Sequence, residues 1–437
     1  MDFTGVIAGK SPATFFSPLP LIAESTSPLN VVGSRRPDSN FRLLQFEGDF
    51  DIIMQLKGLV VIRFLHTSDW QLGMTRHFLA EGAQERYSQS RFDAIRTMGR
   101  NARDAKCQFM LVCGDAFESN QVDRKTIART LEALKDVPVP VFILPGNHDP
   151  LNAASVYRSS TFIERKPPQV QVIETAAPIK VAEGVELVGA PWMSKRPVAN
   201  PIEDAINALA PADVGVTRIC MGHGAVDTLT PDRESAGIIS VAALERALAE
   251  GKMHFVALGD RHSLTKVGGG DRIWYSGTPE STDFRETQSG YAHIVEIGDG
   301  SVTTKPVQIG QWRFIDRERV DLNTADDEEA LRKSLEEIEN KDRTVVRLNL
   351  VGSLSLTLSG ALQSHLLAAK DVFGAFDVRD DALLVLPDDT DFANLGFSGF
   401  ADGTVQRLRS KIAEDGDEST VAREALMLLL RLAKGAA

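Results

Sequence analysis

Five short segments of this chain carry side chains of the kind that bind metal ions, and each follows an apolar run. Val60–Leu65 leads into His66-Thr67-Ser68-Asp69-Trp70-Gln71. Phe109–Cys113 ends in Gly114-Asp115, and Val139–Leu144 ends in Pro145-Gly146-Asn147-His148-Asp149-Pro150. Further on, Cys220-Met221 runs into Gly222-His223-Gly224, and Leu258 into Gly259-Asp260-Arg261-His262. The candidate set is Asp69, Gln71, Asp115, Asn147, His223, Asp260 and His262, with His148 beside them. Ligands gathered at the carboxyl ends of neighbouring strands make a site in an open α/β sheet.

The elements that must hold these loops follow from periodicity. From Val60 the pattern alternates strand and helix. Helices are expected at Ala83–Asp104 and at Asp123–Leu134, where Ile127, Leu131 and Leu134 recur at helical spacing behind an Asp123 cap. Later strands are expected at Val170–Ile173, Ile179–Val181, Val185–Gly189, Thr217–Met221 and Phe255–Leu258, with a helix at Ser240–Glu250. Ile273–Tyr275, Ala292–Ile297 and Val302–Ile309 read as a short β meander. Beyond Trp312 a small α+β unit is expected: strands at Arg317–Leu322, Arg343–Leu350 and Leu383–Leu386, helices at Asp326–Glu339 and Leu358–Val372. Two tail helices, Val405–Ile412 and Val421–Ala433, close the pattern. The second is apolar on most of its faces and must bury itself, in this protein or in a partner.

A chain of 437 residues is too long for one ordinary core, so two or three domains are expected. The divisions fall at 60–311 for the site-bearing domain, 312–393 for the α+β cap and 394–437 for the helical tail. Residues 1–58, broken by Ser11-Pro12, Ser17-Pro18 and Ser27-Pro28, read as a disordered extension or as upstream sequence, with Met54 or Val60 as a natural start. They lack the basic start and long apolar core of a secretory signal. No run of about 18 apolar residues is present, so no membrane span is expected. The three cysteines, Cys107, Cys113 and Cys220, lie in or beside apolar strand-like runs. A disulfide framework and a zinc-thiolate site are therefore not expected, and a reduced cytoplasmic setting fits. The net charge of −12 disfavours bulk electrostatic binding of nucleic acid, so any grip on DNA must be local or shared.

Taken together, the motifs resemble the calcineurin-like metallophosphoesterases, and among them the SbcD/YhaO-type DNA-repair exonucleases. That family's pattern is D-x-H, G-D, G-N-H-D, G-H and G-H-x-H. Here it reads Asp69-Trp70-Gln71, Gly114-Asp115, Gly146-Asn147-His148-Asp149, Gly222-His223 and Gly259-Asp260-Arg261-His262. The opening His66–Gly73 is similar to the exonuclease branch in particular. So is Tyr275-Ser276-Gly277-Thr278-Pro279, with Phe284 and Glu286 soon after. The likeness covers about Val61 to Val307 well and the remainder only in layout. It implies an α/β fold: a two-sheet metallophosphoesterase sandwich flanked by helices, with a smaller α+β cap domain and a helical tail.

The resemblance also implies the chemistry. Two divalent ions about 3.5–4 Å apart share one ligand that reaches both, and a carboxylate does this. That role falls to Asp115. One ion would be held by Asp69, Asp115, His262 and Gln71, the other by Asp115, Asn147, His223 and Asp260. His148 would contact the phosphate and protonate the departing oxygen, with Asp149 orienting it. Two departures stand out: Gln71 and Asp260 each occupy a position where the family has His. Each ion then has one imidazole and mostly oxygen ligands, which suits Mn2+ or Mg2+ better than Zn2+. Three carboxylates and a bridging hydroxide would neutralise two divalent ions, making a weaker electrophile than a site with His at Asp260.

Plainer readings stand beside these. Asp115 could be a turn residue, Gln71 could face solvent, and Asp260 could pair with Arg261 or Arg272. His77, His254, His293 and His365 match no motif, and His66 is expected to pack beneath the site. Arg76, Lys195, Arg196, Arg233, Lys266 and Arg285 sit on expected loops, as a phosphate path or as solvated charges. The leading function is a metal-dependent DNA exonuclease/endonuclease subunit acting in DNA repair. The alternatives are a cyclic-nucleotide or phosphomonoester hydrolase of the same superfamily, and a degenerate-site scaffold regulating an ATPase. The resemblance implies an SbcC/YhaN-type coiled-coil ABC ATPase as partner, DNA as substrate, and admits a homodimer.

Overall fold

The structure, a computed structural model, describes residues 61–437 apart from 81, 232–236, 299, 387–398, 415–416 and 436–437. The extension expected at 1–58, both candidate starts and Arg233 lie outside the described residues. Two six-stranded sheets carry the site. In the first, β1 (Ile62–Thr67), β2 (Phe109–Cys113), β3 (Val141–Leu144) and β4 (Val170–Val172) run parallel. In the second, β5 (Ile179–Ala182) and β6 (Val185–Gly189) are antiparallel, and β6, β7 (Thr217–His223) and β8 (Phe255–Gly259) are parallel. β9 (Thr265–Lys266) and β10 (Ile273–Tyr275) extend that sheet beyond β8.

The two sheets pack face to face. Phe64, Phe109, Leu111 and Phe142 from the first meet Leu187, Ile219, Met221 and Phe255 from the second. Parallel strands buried on both faces need continuous apolar runs, and β2 and β3 are apolar and buried throughout. α1 (Ala83–Asp104) and α2 (Arg124–Lys135) cover the outer face of the first sheet. α1 buries Ala83, Tyr87, Arg91, Ile95, Met98 and Ala102, a stripe at three- and four-residue spacing. α2 starts on Asp123, whose side chain accepts from the Thr126 amide. The short α3 (Ser160–Arg165) and α4 (Pro201–Asn207) and the longer α5 (Val241–Ala249) complete the flanks.

The expected meander does not form. β10 joins the second sheet, whereas β11 (Tyr291–Gly298) and β12 (Ser301–Gln308) form a hairpin that adds antiparallel to β1 in the first. Adjacent apolar runs read alike in sequence, and the β10–β11 connection crosses between the sheets.

A third, all-parallel sheet holds β13 (Arg313–Leu322), β14 (Thr344–Leu354) and β15 (Ala375–Val385). α6 (Ala325–Glu336) and α7 (Leu356–Val372) are its crossovers, and Leu331, Leu335, Leu362 and Leu366 pack on Val346, Leu348 and Leu350. β15 is longer than its expected Leu383–Leu386 because Asp377, Arg379, Asp380 and Asp381 mask an edge strand. Trp312, 2% exposed, joins this unit to α1: its ring meets Tyr87 edge-on at 5.1 Å, among Met74, Ala83, Val345 and Ala375. α8 (Phe400–Ala413) and α9 (Asp417–Gly435) pack on each other through Val405, Leu408, Ile412, Leu426 and Leu429. No described helix is long and apolar enough to cross a membrane.

Candidate metal centre

Parallel pairing puts the carboxyl ends of β1, β2 and β3 side by side, and those of β7 and β8 likewise, with His223 opposite Gly259. The loops that leave these ends are strained. Among the described residues six non-glycines have positive φ, and four of them are candidate ligands: Asp69 (53°), Gln71 (48°), Asp115 (53°) and Asp260 (98°). Such conformations persist only where the surroundings hold them. Here the Asp69, Gln71 and Leu72 amides donate to the carbonyls of Gly114, Asp115 and Ala116, each at 3.0 Å. The glycines clear the space: a Cβ on Gly114 would lie 2.0 Å from the His223 ring, and one on Gly146 2.2 Å from Asp115 Oδ1.

The side chains sort into two groups that share Asp115. On one side, His223 Nε2 lies 2.9 Å from Asn147 Oδ1, 3.4 Å from Asp115 Oδ2 and 3.8 Å from Asp260 Oδ1. On the other, His262 Nε2 lies 3.8 Å from Asp69 Oδ1, and Gln71 Nε2 donates to Asp115 Oδ2 at 3.3 Å. Gln71 is 2% exposed, so it faces the site rather than solvent. Arg261 and Arg272 turn away from Asp260, to Thr265 Oγ1 and the Gly300 carbonyl. Asp69, Asp115 and His223 offer ligand atoms all within 4.8 Å of one another.

The donor set fits divalent cations. Gln71 Oε1 is buried without a hydrogen-bond partner among the described residues, beside a carboxylate. The His223 Nδ1–H donates to the Cys113 carbonyl at 2.9 Å, which turns Nε2 toward Asn147 Oδ1; once Nε2 gives up its proton the two atoms' lone pairs converge. Burial alone would lower the His223 pKa, yet Asp115, Asp69 and Asp260 raise it well above its usual value. Burial pushes Asp260 up to about 6. Burial likewise opposes the charge on Asp115, but His223 holds its carboxyl below the usual range. Three clustered carboxylates with only two imidazoles call for further positive charge, and oxygen-rich ligands favour hard ions.

Two further features concern orientation. His262 Nδ1 lies 2.8 Å from Glu286 Oε1 and 2.9 Å from Thr282 Oγ1; despite burial this pairing carries its pKa up to about 9. A carboxylate behind a ligating imidazole fixes its tautomer and direction. In sequence Glu286 stands out only through the family likeness; the fold, with Thr282 four residues before it, gives it a task. Asp149 corrects an expectation. The His148 Nδ1–H donates to the Glu118 carbonyl at 2.8 Å, so that carbonyl orients the imidazole. Asp149, 0% exposed, instead accepts from the amides of Gly146 and Phe117 and from Tyr157 Oη, at 2.7, 3.0 and 2.5 Å. The turn after His148 carries its neighbour's carboxylate inward, where it ties the Asn147-His148 loop to the Asp115 loop.

His66 packs beneath the site, its Nε2–H donating to the Leu258 carbonyl at 3.1 Å, and burial lowers its pKa to about 3. His293 is its cross-strand partner. Two of the basic loop residues are paired, Lys266 with Asp271 and Arg285 with Asp283. Trp192 carries no signal in the sequence; its indole donates to the His223 carbonyl at 2.8 Å.

Residues 62–264 match the family model of the calcineurin-like phosphoesterases. Among solved structures the chain is similar to TT1561 of Thermus thermophilus (10% identity, TM-score 0.36, 56% of this chain and 98% of that one). It is similar to a dimetal phosphatase from Danio rerio (10%, 0.35, 57% and 99%). A purple acid phosphatase from yellow lupin seeds stands at 11%, 0.35, 57% and 51%.

Proposed function

We propose, given that this chain carries a calcineurin-like metallophosphoesterase domain, that it hydrolyses phosphodiester bonds of DNA with two divalent ions, Mn2+ before Mg2+. Metal-dependent hydrolysis of a phosphate ester is the activity of the family. The observation that carries the reading is the sorting of seven side chains into two groups about Asp115. Asp69, Gln71 and His262 would hold one ion and Asn147, His223 and Asp260 the other, with Asp115 shared; bound there, the pair supplies positive charge for the phosphate.

The chain's own residues do the rest. Glu118 fixes the His148 ring through Nδ1, so a protonated imidazole can give its Nε2 proton to the leaving oxygen as water attacks phosphorus. The DNA reading rests on the exonuclease-like opening and on Tyr275–Pro279. These two stretches touch: Thr278 Oγ1 donates to the Asp69 carbonyl at 2.8 Å, and the hydroxyls of Ser68 and Ser276 lie 2.9 Å apart. The ATPase partner rests on α8 and α9, whose pairing leaves Phe400, Val421, Leu428 and Leu432 exposed. Apolar surface of that sort marks an interface.

The test is Mn2+-dependent cleavage of linear duplex and single-stranded DNA, beside a phosphomonoester and a cyclic nucleotide, with metal content measured. Two ions per chain and cleavage of DNA support the reading. Hydrolysis of the small esters alone shifts it to the sister activity, and absence of bound metal leaves a scaffold. Deleting residues 399–437 should abolish co-purification with the ATPase while a small phosphodiester is still hydrolysed; retained co-purification removes the tail from the interface.

A further inference from the structure

Arg91 lies on the buried face of α1, 3% exposed, and its hydrogen bonds among the described residues go to neutral groups. Nη1 donates to the Trp70 carbonyl at 2.7 Å and Nη2 to Tyr87 Oη at 2.6 Å; Nη2 also lies 3.6 Å from Met74 Sδ. Nε has no hydrogen-bond partner among the described residues. A guanidinium held this deep without a carboxylate bonded to it is unusual, because such a charge is retained only where its contacts need it. The contact that stands out is the first. Trp70 lies between Asp69 and Gln71, the two left-handed ligand residues of the β1 loop. Each carbonyl of that loop has a donor: Thr278 Oγ1 on Asp69, Arg91 on Trp70 and the Met74 amide on Gln71. Arg91 supplies the charged one, and a charge-assisted bond is roughly twice as strong as a neutral one.

The other end of the same side chain faces the junction with the third sheet. Tyr87 Oη donates to the Ser281 carbonyl at 2.8 Å, and the Tyr87 ring stacks edge-on against Trp312. Trp312 Nε1 donates to Ser90 Oγ at 3.0 Å, one residue before Arg91. Glu280, 1% exposed and near enough to feel the Arg91 charge, accepts from the amides of Gln311 and Trp312 at 3.0 to 3.2 Å.

We propose that Arg91 is a positioning residue for the metal centre: it clamps the strained Asp69–Gln71 loop in the ligating conformation and anchors that clamp, through Tyr87, at the Trp312 junction. It touches neither ion nor substrate. The proposal rests on reading Asp69 and Gln71 as ligands, and its failure is distinguishable from failure of that reading. If the wild-type chain binds no Mn2+, the ligand reading falls. If it binds Mn2+ and the Arg91 variants bind it equally well, only the clamp falls.

The experiment compares full-length wild type with Arg91→Met, Arg91→Lys and Tyr87→Phe. Calorimetric titration with Mn2+ alone reads the affinity, and hydrogen exchange of the ion-free chain reads the amides of Asp69, Gln71 and Leu72. Arg91→Met should weaken Mn2+ binding on the order of tenfold or more, as loss of a residue supporting a ligand does. It should also speed exchange of those amides selectively, with the amides of β7 and β8 unchanged. Tyr87→Phe keeps the ring and loses only the anchor, so its change should have the same sign and be smaller. Arg91→Lys keeps the charge and one donor and should fall between. A merely structural role would lower the melting temperature and speed exchange across α1 without changing Mn2+ affinity, and that result overturns the clamp. Should Arg91→Met fail to fold, wild-type affinity in both Arg91→Lys and Tyr87→Phe overturns it equally.

Discussion

The first sheet and the second contribute to the centre in different ways. Asp69, Gln71 and Asp115, from the first, are 0%, 2% and 2% exposed and sit in left-handed loops cross-bonded to each other. Asp260 and His262, from the second, keep side chains 29% and 25% exposed. The first sheet makes a buried, acidic floor; the second makes a wall only partly open to solvent. Two residues cross this division: Asn147, from the first sheet, is only half-buried, and His223, from the second, is 1% exposed and reaches between Asp115 and Asp260. Burying like charges is unfavourable until cations arrive, so the floor is built for metal at the expense of ion-free stability. The partly exposed wall is therefore where a substitution should change metal preference without collapsing the site.

Removing the shared floor residue strikes both groups at once. Asp115→Ala should abolish hydrolysis, a fall on the order of a thousandfold or more, and lower metal occupancy in both groups. Phosphodiester turnover at the wild-type rate would sink the shared-ligand reading. His148→Ala comes next. It should keep both ions and lose roughly a hundredfold or more in kcat, because the His148 ring is held by the Glu118 carbonyl, while its bond to Asp115 is made by the backbone amide, which the substitution keeps. Elemental analysis showing metal-free protein would instead make His148 a ligand.

On the wall, Glu286→Gln should weaken metal binding roughly tenfold, since Glu286 orients His262. Glu286 raises His262 to about 9, and a proton on His262 competes with metal, so wild-type affinity rises with pH up to about 9. The amide cannot stabilise the imidazolium as the carboxylate does, so the plateau should begin at lower pH in the variant. The orientation effect is therefore measured above about pH 9, where His262 is neutral in both proteins. Equal affinities there would show that Glu286 serves only the proton.

Much of this arrangement was legible in the sequence, and what was not has a physical cause. The β2 and β3 runs and the Ala83–Asp104 helix stand out because burial on two faces, or on one stripe, leaves a local period. The candidate ligands at the strand ends stand out because Gly-Asp and Gly-Asn-His-Asp demand tight turns. Strand partnership is not local, which is why β10 reads as a neighbour of β11 although they lie in different sheets. Asp149 follows His148 directly, yet one residue of loop is enough to reverse a side chain, and only the turn itself shows that Asp149 faces away from the imidazole. Arg91 and Glu280 look like ordinary helix and loop charges. Only the fold reveals that each is buried against backbone.

The smallest expected effect tests the claim that the wall is adjustable. Asp260 is partly exposed, adopts φ of 98° and donates its amide to both oxygens of Asp69, at 3.2 and 3.1 Å. That amide bond does not depend on the side chain, so Asp260→His should leave the loop and the fold intact. The substitution changes the ligands of the His223 group from three oxygens and one nitrogen to two of each, and it removes one negative charge. Softer ligands favour Zn2+, so the ratio of Zn2+ to Mn2+ retained after dialysis against both should rise several-fold, with the melting temperature little changed. The same exchange on the floor, Gln71→His, has to fit an imidazole into a fully buried left-handed loop and should cost stability as well. An unchanged metal ratio in Asp260→His would place Asp260 outside the ligand set. An equal loss of stability in both variants would erase the distinction between floor and wall.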